Sequence, residues 1–236
     1  MYPILFSIGG VNFYSYGLLA SIAFFSGALL IINLAKKNKL YYPQLFDHLL
    51  WLFLAALFGA RLSYFIVYNN QFNYWYEFFY LWNGGMISYG GMLGVLLAAV
   101  YIFKKDRLKW LDIIGLAFLL GVFFWRIGCV LTGDHPQIPY SGFLSINGEF
   151  PAILIESLLG IIGFAIFFKL FDKLKKIPGL VFFQIILFYG LVRIFVDNFR
   201  IDPEMIGLST GQVVGMLLVV AALIGIILIR KKSNVT

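Results

Sequence analysis

Seven long apolar stretches constrain this chain more than any other feature of its sequence. They lie at about residues 14–35, 45–67, 85–103, 110–131, 151–171, 178–200 and 209–229, and each is close to the roughly 20 residues that a helix needs to cross a bilayer. Of the 236 residues, 61% are hydrophobic and 12% charged, whereas soluble domains are roughly 45–50% apolar. This composition excludes soluble nucleotide-binding modules. We predict an all-α polytopic membrane protein, one domain over residues 1–236 built as a bundle of seven transmembrane helices.

The distribution of basic residues predicts how the bundle is oriented. Short loops rich in Lys and Arg stay on the cytoplasmic side of a membrane. Fourteen of the 18 basic residues fall in three alternate loops and the C-terminal tail: Lys36, Lys37, Lys39, Lys104, Lys105, Arg107, Lys109, Lys169, Lys173, Lys175, Lys176, Arg230, Lys231 and Lys232. We therefore expect the N-terminus outside and the C-terminus in the cytoplasm.

The other four basic residues are all arginines in the outer half of the predicted helices: Arg61, Arg126, Arg193 and Arg200. A charge inside the bilayer is costly unless it is paired or solvated, so it marks a candidate functional site. Acidic residues fall at or near the same level: Asp134, Glu149, Glu156, Asp197, Asp202 and Glu204. The sequence thus predicts a cluster of charged side chains at the outer leaflet.

The sixth predicted helix carries Tyr189, Arg193 and Asp197 at intervals of four residues, which places them on one helix face. One interpretation is a self-contained Arg193–Asp197 ion pair. The other is a phosphate site, because Arg61, Arg126 and Arg193 indicate a surplus of guanidinium and arginine suits bidentate binding of phosphate. An anionic phospholipid headgroup would supply that phosphate.

A glycine-rich segment over residues 83–94 leads into the third apolar stretch. Its glycines, Gly90 and Gly91 among them, favour either close helix packing or close approach of the backbone to a ligand. Amides at the start of this helix can also bind phosphate. Tyr89 would then face the same cavity.

Cysteine and histidine usage argues against metal chemistry. The single cysteine, Cys129, excludes an intramolecular disulfide and a multi-cysteine metal site, and we interpret it as a small buried residue. His48 and His135 fall on opposite sides of the predicted membrane, so we expect no metal site. Asp112, near the start of the fourth helix, is interpreted as structural, since a carboxylate close to the N-terminus of its helix interacts favourably with the helix dipole.

These motifs together resemble a known family, the phosphatidylglycerol:prolipoprotein diacylglyceryl transferases of bacterial inner membranes. The resemblance spans nearly the whole chain and runs, in the family's order, through FSIGG with YSYGLL, FGARLSYFIVYN, WNGGMISYGGMLG, WRIGCVLTGD, residues 151–156, YGLVRIFVDNFR and GLSTGQ. It implies transfer of the diacylglyceryl group from phosphatidylglycerol to the lipobox cysteine of a preprolipoprotein, with release of glycerol phosphate. It also implies a multi-pass protein of the cytoplasmic membrane, with the bilayer but no nucleic acid as partner, and no cofactor.

The resemblance also suggests roles for individual residues. Arg126 and Arg193 correspond to essential arginines of the family, and we expect them to be catalytic together with Tyr89 and Asp134. Substrate binding is assigned to Tyr16, Arg61, Gly90, Gly91, Glu156, Tyr189 and Asp197. The general base stays open among Tyr89, Asp134 and a carboxylate of the sixth helix.

Several positions depart from the family pattern. Cys129 stands where the family has Asn, and Asp134 and Asp197 stand where Glu is common. Ile153 and Ile155 replace a Gln and a Tyr. Because some of these changes remove polar groups, two alternatives stay open: a divergent transferase with another acceptor, and a protein that binds or transports anionic lipid without chemistry.

Overall fold

The computed structural model describes residues 2–9, 11–80, 84–133, 135–202, 204–205 and 207–233. Within them the chain forms seven α-helices: α1 Ser15–Lys37, α2 Leu45–Val67, α3 Ser88–Ile102, α4 Arg107–Thr132, α5 Ala152–Leu174, α6 Leu180–Val196 and α7 Thr210–Ser233. Six of these helices are long and apolar enough to cross a membrane, and α3 is a shorter apolar helix. The predicted helical membrane protein is thereby confirmed, and most helix bounds lie within a few residues of the predicted stretches.

The third helix is shorter than predicted because of two glycines. Gly84 and Gly85 have φ angles of +72° and +77°, a left-handed conformation that glycine adopts readily and that interrupts a helix. The helix therefore starts at Ser88 and has 15 residues, or about 22 Å at 1.5 Å per residue. That length falls short of a hydrocarbon core of about 30 Å.

Two short antiparallel hairpins were not predicted. The first pairs β1 Ile4–Ile8 with β2 Val11–Tyr14, with Ile4 opposite Tyr14 and Ile8 opposite Val11. The second pairs β3 Glu204–Met205 with β4 Leu208–Ser209. The strands of the second hairpin have only two residues each, fewer than the four to eight over which a period-two pattern is counted. The strands of the first have five and four residues, at the lower limit of that range.

The chain divides into two compact units, which are described separately. The first comprises residues 1–34 and 111–236, and the second residues 35–110. In the first unit, α6 and α7 approach closely at Gly190 and Gly215, where a Cβ added to either residue would lie 2.9 Å from the carbonyl oxygen of the other. In the second unit, α2 and α3 meet at Gly59 and Gly90, where an added Cβ would overlap the opposing backbone. Small residues thus allow both helix pairs to pack closely.

Asp112 fixes the start of α6. Its side chain is 1% exposed, its Oδ2 accepts a hydrogen bond from the Gly179 amide at 2.8 Å, and its Oδ1 accepts one from the Phe182 amide at 2.8 Å. The first amides of a helix have no partner within the helix, so a carboxylate from α4 satisfies two donors at the start of α6. Asp112 is structural as expected, but it serves the N-terminus of α6 and not that of its own helix.

Candidate active site

Glu156 bridges the two arginines that the family resemblance predicts to be catalytic. Its Oε1 lies 2.9 Å from Arg126 Nη2 on α4, and its Oε2 lies 3.0 Å from Arg193 Nη1 on α6. Tyr189 Oη donates a hydrogen bond to Glu156 Oε1 at 3.1 Å. One carboxylate of α5 therefore holds side chains from two other helices.

The contacts of Arg193 agree with the helix face that the four-residue spacing predicts. Arg193 Nη2 lies 2.7 Å from Asp197 Oδ1, so the predicted Arg193–Asp197 pair is confirmed. Arg193 also reaches Glu156, and its two terminal nitrogens thus contact two different carboxylates. The pair is not self-contained, because it continues through Glu156 to Arg126.

The start of α7 completes the surroundings of Asp197. Ser209 Oγ donates to Asp197 Oδ2 at 3.0 Å. The backbone N–H of Gln212 donates to Ser209 Oγ at 3.1 Å, and the backbone N–H of Ser209 donates to Gln212 Oε1 at 3.0 Å. These reciprocal bonds form a capping box. Ser209 therefore both caps α7 and binds the carboxylate of Asp197.

This arrangement requires a residue without a side chain at position 211. A Cβ at this position would overlap the Asp197 carboxylate and Arg193 Nη2. The segment GLSTGQ thus brings the first turn of α7 directly against the ion pair. Ser209 and Gly211 were not predicted as site residues, although the Ser-x-x-Gln spacing of residues 209–212 is typical of a capping box.

We call Arg126, Glu156, Tyr189, Arg193 and Asp197 the arginine–carboxylate cluster. Each of the five residues is at most 5% exposed. They lie near one end of their helices: the C-terminal ends of α4 and α6 and the N-terminal part of α5, beside the first turn of α7. Of the charged side chains that the sequence predicted to cluster, the first compact unit brings Arg126, Glu156, Arg193 and Asp197 together, whereas Arg61 belongs to the second unit.

The charge balance of the cluster differs from the predicted surplus of guanidinium. Two arginines face two carboxylates, because Glu156 and Asp197 both point toward Arg193 and Glu156 also pairs with Arg126. Burial of an ion costs several kcal/mol unless its partners are well placed. With two positive and two negative charges, the cluster is neutral within the described residues. A bound anion therefore has to use N–H groups that do not already bind a carboxylate.

One such donor is on Arg126. Its Nε is buried and has no hydrogen-bond partner among the described residues. Buried polar groups without a partner are uncommon and call for an explanation. A guanidinium that pairs with Glu156 through Nη2 and keeps Nε unused is suited to donate a hydrogen bond to a second anionic oxygen, since its donors form a planar fork.

Arg200 extends the cluster toward the loop after α4. Its side chain is 5% exposed, and its Nη2 lies 3.0 Å from Asp202 Oδ2 and 3.4 Å from His135 Nδ1. Its Nη1 is 3.7 Å from Asp197 Oδ1. Arg200 was recognised as an outer-half arginine but was not assigned to the site, because its position at the end of the predicted helix did not reveal these contacts.

Arg61 occupies a different environment in the second unit. Its Nε donates to Phe78 O at 2.8 Å, Nη1 donates to Gly84 O and to Gly85 O, and Nη2 donates to Glu77 O at 2.8 Å and Tyr80 O at 3.2 Å. The guanidinium thus binds five carbonyl oxygens of the segment before α3. Arg61 holds this segment in place, and a role in substrate binding stays a prediction.

Gly90 and Gly91 pack against α2. An added Cβ at Gly90 would overlap Ser63 and the Gly59 carbonyl, and one at Gly91 would lie 3.1 Å from Ala56 O. Close helix packing, one of the two interpretations of these glycines, is therefore what the structure contains. Tyr89 lies half-buried in the first turn of α3. The ligand-binding roles assigned to these residues stay predictions.

Two further residues that the sequence analysis singled out, Tyr16 and Cys129, lie near the ends of α1 and α4. Tyr16 packs against Gly128, where an added Cβ would lie 3.2 Å from the tyrosine ring. Asp134 lies outside the described residues. Cys129 is buried as expected, and together with Ile153 it lines a cavity of about 20 Å³, about the size that holds one water. Two of the departures from the family pattern thus share one small cavity, whereas Ile155 is half-buried on α5.

The chain is similar in sequence to proteins of one family. The sequence profile of the family described as prolipoprotein diacylglyceryl transferase matches residues 3–228. The phosphatidylglycerol–prolipoprotein diacylglyceryl transferase of Finegoldia magna is 28% identical over 235 residues, covering 94% of this chain and 93% of the relative. Proteins of the same name from Geobacter sulfurreducens and Clostridium perfringens are 29% and 27% identical, covering 89% and 99% of this chain and 86% and 97% of theirs. The arginine–carboxylate cluster therefore lies in a chain that belongs to the prolipoprotein diacylglyceryl transferase family of enzymes.

Proposed function

We propose that this protein transfers the diacylglyceryl group of phosphatidylglycerol to the thiol of the lipobox cysteine in preprolipoproteins. The observation that carries the proposal is the buried arginine pair bridged by Glu156, with Arg126 Nε left without a partner among the described residues. The names of the relatives, which contain both substrates, support the same assignment.

The reaction is a substitution at a glycerol carbon. The sulfur of the lipobox cysteine attacks the carbon that bears the phosphate ester, a C–S bond forms, and the C–O bond to phosphate breaks. The departing glycerol phosphate carries the electron pair of that bond, and the thiol proton passes to a base. Tyr89, Asp134 and Asp197 are the candidates for this base.

Arg126 stabilises the departing phosphate in this mechanism. Negative charge grows on the phosphate oxygen as the C–O bond breaks, and fixed donors aimed at such charge are the usual source of electrostatic catalysis. Glu156 holds Arg126 in place from the opposite side at 2.9 Å. Arg193, which two carboxylates hold, contributes positive charge close to the same site.

The proposed topology places this chemistry on the outer face of the bacterial cytoplasmic membrane. Seven spans, with α3 as the short third one, put the basic loops and the C-terminus in the cytoplasm and the N-terminus outside. The cluster then lies in the outer leaflet, where a lipobox cysteine emerging from the membrane can reach it. The whole chain acts as one transferase domain, without a metal or cofactor and without nucleic acid as a partner.

Reconstitution tests this proposal. The purified protein is mixed with a lipobox peptide and with phosphatidylglycerol that is labelled in its diacylglyceryl part. The mass of the peptide is then measured by mass spectrometry. We expect labelled thioether on the peptide, no product with a peptide whose cysteine is replaced by serine, and none when phosphatidylethanolamine is the donor. Lipid binding without any product would instead support the alternative, an anionic-lipid-binding or transport protein.

A further inference from the structure

A groove on the second compact unit is separate from the residues of the proposed reaction. It is an open cavity of about 800 Å³ between α2 and α3. Trp51, Leu54 and Phe58 line it from α2 with exposures of 60%, 42% and 58%. Ala98 and Tyr101 line it from α3. None of these residues belongs to the arginine–carboxylate cluster.

The groove follows from the packing of the two helices. Positions 51, 54, 55 and 58 form one stripe of α2, and positions 98, 101 and 102 form one stripe of α3, because residues three and four apart share a helix face. Small residues bring the two backbones together, with an added Cβ at Gly94 overlapping the Ala55 carbonyl. The small side chains of Ala55 and Ala98 line the groove together with the larger ones.

The length of the groove matches one leaflet of a bilayer. It runs from His48, near the start of α2, to Phe58, which is about 15 Å at 1.5 Å per residue. The hydrocarbon core of a bilayer is about 30 Å thick. The groove is therefore about half as long as the hydrocarbon core is thick, which is the depth of one leaflet.

Its mouth is cationic. Lys104 lines the groove and lies over the Tyr101 ring at 4.8 Å from the centroid. Lys105, Arg107 and Lys109 follow directly in the sequence, and the acid between them, Asp106, pairs with Lys109 at 2.8 Å. Lysine and arginine at a membrane surface attract anionic lipid headgroups.

His48 adds a polar ring at the same end. It lines the groove, and its Nδ1 forms a hydrogen bond with the Tyr42 hydroxyl. This bond uses one of the two ring nitrogens, and the other, Nε2, is left for a ligand. The mouth of the groove thus presents a phosphate with the Lys104 ammonium and the His48 ring.

We propose that this groove binds an anionic phospholipid of the leaflet at the basic end of the α2–α3 hairpin, with one acyl chain along Trp51, Leu54 and Phe58 and the phosphate at Lys104 and His48. In the proposed topology this is the cytoplasmic leaflet. The site requires no transfer chemistry, so it stands or falls independently of the proposed reaction.

Photolabelling tests the site in the intact protein. The chain is reconstituted in phosphatidylcholine vesicles with a trace of phosphatidylglycerol that carries a photoactivatable group in the middle of one acyl chain, and labelled peptides are mapped by mass spectrometry. We expect label on α2 between residues 51 and 58, which unlabelled phosphatidylglycerol displaces and additional phosphatidylcholine does not. This competition uses the unaltered protein and does not depend on the folding of a variant.

Two variants and a control refine the result. Lys104→Glu is expected to lower the labelling at least about fivefold, since each basic residue near the membrane surface contributes about that factor, and Ala98→Trp is expected to abolish it by filling the groove. Lys173→Glu, an exposed lysine on α5 with the same charge change, should leave it unaltered. Absence of label on α2, or equal labelling by a phosphatidylcholine probe, would overturn the proposal.

Discussion

Replacement of Glu156 by glutamine tests whether this carboxylate holds the arginine pair together. Glu156 is fully buried and lies 2.9 Å from Arg126 and 3.0 Å from Arg193. Glutamine keeps the shape of the side chain, but it removes the charge and directs an amide donor at one of the two guanidinium groups. Water cannot replace the lost contact at a site this deeply buried.

The expected loss of stability follows from the partners that the two arginines keep. Removal of one member of a buried ion pair costs about 3–5 kcal/mol. Arg193 keeps Asp197 at 2.7 Å, so the loss falls mainly on Arg126, and we expect one such cost and not two. If the same free energy is lost from the transition state, transfer slows by at least about 100-fold, since 1.36 kcal/mol corresponds to a factor of ten.

The measurements are denaturant unfolding in detergent micelles and the rate of diacylglyceryl transfer. Ser157→Ala is the matched control, because Ser157 is the next residue, is equally buried and loses a single hydrogen bond to Phe123 O at 2.9 Å. That loss is expected to cost about 0.5–1.5 kcal/mol. If Glu156→Gln unfolded no more easily than Ser157→Ala and transferred lipid at the normal rate, the bridging role would be refuted.

Three further predictions concern other parts of the fold. Gly211→Ala should displace the buried ion pair and abolish most turnover. Gly121→Ala is the control and should leave turnover unchanged, because nothing lies within 4 Å of a Cβ added there. Similar rates for the two variants would contradict the steric argument. Asp112→Ala should destabilise the protein by about 1–3 kcal/mol, since two amides of α6 lose their partner, and unchanged unfolding in denaturant would show that the cap is dispensable. In a Cys129→Ala background, a cysteine at Ser141 should react with an impermeant thiol reagent in intact cells and one at Lys105 should not, and the reverse pattern would invert the proposed topology.

The apolar helices and one face of the site were predictable from the sequence. Long apolar stretches determine where membrane helices form, because the bilayer imposes their length. The four-residue spacing of Tyr189, Arg193 and Asp197 placed them on one face of α6, and the contact of Arg193 with Asp197 followed from it. These features depend on neighbours along the chain, which a sequence displays directly.

Features that depend on distant backbone were not predictable in the same way. Arg61 was counted as part of a guanidinium surplus, but its partners are carbonyl oxygens 16 to 24 residues away, and a count of charged side chains does not include backbone acceptors. The role of Glu156 as a bridge was also hidden, because its two partners lie on α4 and α6. The start of α3 was misplaced since the glycines that end the preceding segment also suit a helix packing interface.

The substitution Arg126→Lys tests the central claim most directly, because it keeps the charge of Arg126 and removes the planar fork. A lysine can still pair with Glu156, so the protein should remain folded, but one ammonium cannot bind Glu156 and the phosphate with the geometry of a guanidinium. The control is Arg107→Lys, an exposed arginine on the same helix, which should transfer lipid at the normal rate. We expect the Arg126→Lys protein to lose about 100- to 1,000-fold in turnover, the usual effect of removing one donor of this kind, with thermal stability in detergent close to that of the control. Normal turnover by a stably folded Arg126→Lys protein would contradict the assignment of the arginine–carboxylate cluster as the phosphate-binding active site.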